Sequence, residues 1–436
     1  MSDQGFGFTG DDDPERAQGD SSADPFAALF GPGGPPADLG AMLHRLGDLL
    51  SWQGGPVNWD LAREVATQTL ASASGSATPA LPEDTPGPAE TEAVSAAIRL
   101  AELWLDAATT LPTGATTAVA WSRAQWLEST LPTWTELVEP IAAKVVDSMN
   151  GAIPTEMAAM AGPIGGVLAQ VGGALFGAQV GQALGTLASE VVGTTDVGLP
   201  LGPPTTAALL PAGVSAFGAD LGVPADEVRL YLALREAAYH RLYAHVPWLR
   251  AHVLEAIDAF ARGIKVDTDA LESAMRELDP NDPEAIQRAL SGADGGLLNP
   301  KPSPDQEVAL ARLETVLALV EGWVDDVVAT AAAGHLPAAD ALRETVRRRR
   351  AVGGPAEQTF ATLVGLELRP RRLREAAALW AAVRERGGVE GRDGVWAHPD
   401  LLPSAGDLDD PTDYLRGESS PFDISDITGP DDSSTP

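Results

Sequence analysis

Cysteine is absent from all 436 residues, which excludes disulfides, a thiolate nucleophile and any cysteine-held zinc or iron–sulfur centre. A metal ion would have to be held by His, Asp or Glu. Aromatic residues make up only 5% of the chain against 44% hydrophobic residues overall, so the core is expected to be aliphatic and built mostly from helices rich in alanine and leucine. Basic residues are also few. Lys and Arg number 29 against 62 Asp and Glu, for a formal net charge of −33. About half of that excess lies at the ends, with −7 in residues 1–40 and −9 in residues 400–436. The body is still acidic, which argues against nucleic acid or an anionic membrane surface as a partner. The first residues, MSDQGFGFTGDDDPERAQ, have no basic start followed by an apolar run, so a cytoplasmic location is expected. P-loop, G-x-S-x-G and dinucleotide-binding fingerprints are missing as well.

The sequence divides into four parts. Residues 1–40 mix Asp, Gly, Pro and Ser around two small apolar islands and are expected to be a disordered acidic tail, as are residues 404–436. Residues 41–150 form a helical N-terminal region interrupted by a Pro-rich linker at 73–90. Helices are expected at 41–50, from Asn58 or Pro56 onward, at 91–109 and at 118–149 with a break near Pro132. Trp104, Trp121, Trp126 and Trp134 are read as core anchors.

Residues 151–403 form the main domain. From Met157 to Ser189 there is no charged residue, and Gly173, Gly177, Gly181 and Gly185 recur at four-residue spacing. The length and small-residue spacing would suit a membrane span. Gln170, Gln179 and Gln182 and the absence of basic flanks favour instead a buried helix or helical hairpin that admits a neighbouring backbone closely, with the helix between Pro224 and Pro247 as the expected partner. Residues 197–210 are the best place for a small β element. Further helices are expected at 211–221, 267–278, 282–290, 306–333, 338–350, 355–363 and 370–386, with irregular chain after Gly387. The Arg347–Arg350 run suits a helix end, and the cluster Arg369, Arg371, Arg372 and Arg374 could hold the chain's own acidic tail.

At the centre of this domain is a helix opened by Pro224 and ended by Pro247, containing Arg235-Glu236-Ala237-Ala238-Tyr239. Side chains at i and i+4 share a helix face. Zinc peptidases use that spacing in H-E-x-x-H, where two imidazoles hold the metal and the Glu takes a proton from its water. Here the Glu is kept and both imidazoles are replaced. One reading has Arg235 neutralising Glu236 or a second buried carboxylate, with Tyr239 adding a hydroxyl bond, in the volume a metal would fill. The other has His240, which sits at i+4 from Glu236, rebuilding a shifted metal site.

Four stretches, LREAAYHRLYAHVPWLRAHV, LETVLALVEGWVDDVV, RRRRAVGGPAEQTFATLVGLELRPRRLREAAALW and GRDGVWAHPDLLP, together resemble a bacterial family of zincin-like proteins described as zinc-dependent metalloproteases or hydrolases of unknown substrate. With the glycine-rich segment the likeness spans roughly residues 150–403. The resemblance implies a mainly α-helical, zincin-like metallopeptidase fold and zinc as the cofactor. It also implies Glu236 as the general base and Glu321, in EGWVD, as the third metal ligand. The two histidine positions hold Arg235 and Tyr239, and a carboxylate pair alone holds zinc weakly. The expectation is therefore a family member that has lost zinc-dependent peptidase activity and binds or regulates a protein or peptide. The alternative is an active hydrolase with Glu236, His240 and Glu321 as a displaced set.

Overall fold

A computed structural model describes Trp52 and residues 55–73, 85–151, 162–263, 303–351 and 372–417. The helices expected at 41–50, 267–278, 282–290 and 355–363 lie outside the described residues. In chain order the elements are α1 (Trp59–Ala73), α2 (Pro88–Leu105), β1 (Thr117–Ala120), α3 (Arg123–Gly151), α4 (Gly162–Glu190) and β2 (Thr206–Leu209). They continue as α5 (Pro211–Gly218), α6 (Ala225–His245), α7 (Pro247–Arg262), α8 (Pro304–Ala332), α9 (Ala339–Ala351) and α10 (Leu373–Gly394). Two 3₁₀ turns, Val395–Ala397 and Pro399–Leu401, lead to short helices α11 (Ala405–Asp409) and α12 (Thr412–Arg416). The fold is mainly helical, and β1 and β2 pair in parallel as one small sheet, Thr117 opposite Thr206 through Ala120 opposite Leu209.

β2 falls within the segment where a strand was expected, whereas β1 occupies residues assigned to a helix. The correction has a simple cause. Thr117–Ala120 is too short and too poor in polar periodicity to advertise itself, and it becomes a strand only because β2 offers it a ladder. Pro132 does not break α3, which runs through both Pro132 and Pro140. α2 starts at Pro88, a position expected to belong to the linker, with Glu90 reaching back to the Gly87 N–H at 2.8 Å. The chain after Gly387 is not irregular: Gly388 takes a left-handed φ of 72° and the helix resumes to Gly394. Leu408 of α11 is buried, and Arg372 pairs with Asp409 and bonds the Ala405 carbonyl.

The glycine stripe of α4 receives α1. A Cβ on Gly177, Gly181 or Gly185 would stand 2.4, 2.4 or 2.6 Å from the carbonyl oxygens of Asn58, Ala62 and Ala66. The register steps by four residues on both helices, so the two run parallel with their backbones in contact. Among the described residues no helix is long and apolar enough to cross a membrane. Alanine in place of a mid-helix glycine ordinarily gains about 1 kcal/mol. For Gly181→Ala we expect the opposite sign, a loss of about 1–3 kcal/mol from overpacking against the Ala62 carbonyl, measured by urea denaturation.

α6 lies in the middle. Every residue from Tyr231 to Leu242 is buried, as befits a helix packed on all sides, and it meets α2, α5, α7, α8, α9 and β2. Trp126, Trp134, Trp323 and Trp380 are buried in the same core, and Trp104 and Trp121 pack partly buried against it. Trp380 donates to the Leu319 carbonyl at 2.8 Å.

Candidate functional site

Since α6 is buried all round, its polar residues must find partners on the elements that cover it. Arg235 and Tyr239 share one face and both reach Glu321 on α8. The Arg235 guanidinium donates to Glu321 Oε2 at 2.8 Å, and the Tyr239 hydroxyl donates to Oε1. Arg350, near the end of α9, donates to the same Oε1 at 2.6 Å. Glu321 is 3% exposed, so this is a buried carboxylate held by two guanidiniums and a phenol. Burial alone would raise its pKa, but Arg350 and Arg235 outweigh that and leave it below the usual carboxylate range. The Tyr239 phenol is pushed well above its ordinary value by burial and by the Glu321 charge.

Glu236 points away from that cluster, toward the loop between α4 and β2. Its Oε1 accepts from the Thr194 N–H at 3.2 Å, the Thr194 hydroxyl and the Ala208 N–H at 3.4 Å. Its Oε2 accepts from the Thr195 N–H at 3.2 Å and the Thr195 hydroxyl at 2.6 Å. His240 Nε2 lies 3.4 Å from Oε1 and 3.4 Å from the Thr194 hydroxyl. Burial would raise this carboxyl too, yet His240, Thr194 and Thr195 lower it below its ordinary value. Gly193 is required here, because a Cβ at that position would stand 2.6 Å from Glu236 Oε2. Trp126 secures the same turn by donating to the Gly193 carbonyl at 3.0 Å.

The residues singled out from sequence thus fall into two buried sets on different sides of α6. Arg235, Tyr239 and Glu321 come together, and Glu236 and His240 come together. Sequence reasoning did not find Thr194, Thr195 or Ala208, since a Thr-Thr pair after Gly carries no motif. It noted Arg350 only as part of a basic run, although four-residue spacing on α8 places Glu321 and Asp325 on one face as natural partners for such a run.

Would a zinc ion fit? Zinc takes lone pairs from N, O or S in a tetrahedral set. A guanidinium has none to give. Both Glu321 oxygens are occupied by cation or hydroxyl donors, both Glu236 oxygens are saturated by N–H and O–H donors, and among the described residues no three His, Asp or Glu side chains converge on a metal position. The residues present do not fit the ion, and no chemical step is derived through it.

A family model described as "Zincin-like metallopeptidase" matches residues 57–415. Among solved structures the chain is similar to a candidate hydrolase with a novel fold from Chloroflexus aurantiacus, at 18% identity and a TM-score of 0.56, covering 83% of this chain and 98% of that one. A likeness of that identity bears on the fold alone. No curated protein matches.

Proposed function

We propose, from the premise that the chain belongs to the family of zincin-like metallopeptidases, that it retains the scaffold without zinc-dependent peptide hydrolysis and acts as a binding or regulatory protein for a protein or peptide partner. The observation that carries this reading is Glu321 held by Arg235, Tyr239 and Arg350 at the positions where a peptidase keeps its ion. A metal there would have to displace two guanidiniums and then find nitrogen ligands that α6 does not offer on that face. Glu236, the other half of the motif, has its lone pairs taken by Thr194, Thr195 and Ala208, which leaves none to accept a proton from water.

Protein purified without chelator should contain zinc well below one equivalent by elemental analysis. A stoichiometric ion would overturn the reading, as would a peptidase activity abolished both by chelator and by Glu236→Gln.

A further inference from the structure

The ion pairs around α8 are unevenly balanced. Asp326 and Asp393 are matched one for one by Arg384 and Arg392, and Arg241 faces two acids, Glu102 and Asp106. Around Glu321 and Asp325 the excess has the other sign. Glu321 is paired by Arg235 and by Arg350. Arg343 and Arg347, one turn apart on α9, both converge on a single oxygen, Asp325 Oδ2, with Arg347 at 2.7 Å. Even with Arg350 set aside, among the described residues three guanidiniums, Arg235, Arg343 and Arg347, face these two carboxylates, and the surplus charge lies where Arg343 and Arg347 meet.

Two like charges sharing one acceptor repel each other, and the donor count shows the same shortage. Each guanidinium presents five N–H groups in a planar fork. Arg347 gives one nitrogen to Asp325, while its Nε is buried with no acceptor among the described residues. The side chains of Arg343 and Arg347 are 26% and 20% exposed, so this pair is the part of the cluster that an ion from solvent reaches. In a chain of net charge −33, a half-buried cationic surplus stands out against everything around it.

We infer that Arg343 and Arg347 form a binding site for a phosphate group, either free phosphate or a phosphomonoester, bridging the two guanidiniums on the solvent side of Asp325. A tetrahedral, doubly charged oxyanion supplies several acceptors to paired forks and cancels the surplus charge, which a carboxylate does less completely. The inference concerns Asp325 and α9 and does not depend on whether Glu321 has lost a metal.

The test is calorimetric titration of the full chain, prepared in phosphate-free buffer, with inorganic phosphate, phenyl phosphate and acetate. Saturable binding of phosphate or phenyl phosphate is expected, weakened by added salt, with acetate far weaker. The tighter of the first two tells free phosphate from an esterified group. Arg347→Gln should weaken binding about tenfold or more, as loss of a charge-assisted bond implies, while leaving the circular dichroism spectrum unchanged because it relieves a repulsion. Should that variant fail to fold, Arg343→Gln carries the same expectation. No saturable binding, equal affinity for acetate, or unchanged affinity in the folded variant would overturn the proposal.

Discussion

Glu321→Ala should destabilise the fold by about 3–5 kcal/mol, the usual cost of removing one partner from a buried ion pair. The loss comes less from the bonds removed than from what stays behind. Arg235 is 7% exposed and its guanidinium lies against Tyr239, 5.9 Å from the ring centroid, so without Glu321 a full positive charge remains in the core with the phenols of Tyr239 and Tyr231 beside it and Asp325, already shared by Arg343 and Arg347, as its remaining acid. Arg350, 13% exposed, can turn outward and escapes most of that cost. The asymmetry yields a second expectation from the same geometry. Arg235→Ala should cost less than Glu321→Ala, because Arg350 still neutralises the carboxylate. The double change Arg235→Leu with Glu321→Leu should recover much of the loss, since apolar replacement of a whole buried pair is often neutral. Urea midpoints at constant m-value measure all three.

The acid side of the stability curve follows from the same carboxylate. Glu321 is held below its ordinary pKa by Arg350 and Arg235 against the effect of burial. The unfolded chain, with a carboxyl near about 4.3, therefore binds its proton first as pH falls. Its contribution is fully present above that unfolded value and is lost as pH drops through the folded one. Glu321→Ala should accordingly show a shallower fall in melting temperature below about pH 4.3 than the parent chain.

How much of this was written in the sequence can be judged residue by residue. α6 was legible because Pro224 and Pro247 bracket it and acids fill its first turn, Asp226 and Glu227. The glycine stripe of α4 announced a close backbone approach through its four-residue repeat, but the helix it receives is α1 and not the central α6 that was expected there. The pairing of Arg235 and Tyr239 with a carboxylate was readable from helix geometry once Glu321 was in view. The destination of Glu236 was not. It depends on the backbone N–H groups of Thr194, Thr195 and Ala208, and backbone donors are invisible to any motif because every residue but proline has one. β1 was hidden for a related reason, since a four-residue strand is decided by its neighbour's hydrogen bonds rather than by its own side chains. Long-range polar contacts of this kind are set by the fold as a whole, which is also why Arg347 looked like part of a basic helix end and Arg343 drew no notice.

Glu236→Gln should destabilise the chain by about 2–4 kcal/mol, a result that separates a structural glutamate from a general base more cleanly than any activity assay. A base that faces open water tolerates glutamine with little change in stability, since the amide keeps the shape and finds solvent partners. Here, besides His240 Nε2 near Oε1, each carboxylate oxygen faces at least one backbone N–H: Thr194 and Ala208 on one side, Thr195 on the other. An amide has one acceptor and one donor end. Whichever way it turns, its NH₂ confronts at least one backbone N–H. The threonine hydroxyls can rotate to accept from it, but the N–H of Thr194, Thr195 or Ala208 cannot. A buried donor left unsatisfied costs about 1–3 kcal/mol, and the charge-assisted character of the remaining bonds is lost as well. The same substitution should loosen the Gly193–Thr195 turn that joins α4 to β2, because Glu236 is what ties it to α6. Amide hydrogen exchange at Thr194 and Thr195 would then accelerate beyond the global change. Unchanged stability with unchanged exchange would instead assign Glu236 an open, water-facing position and return it to the role its place in the motif suggests.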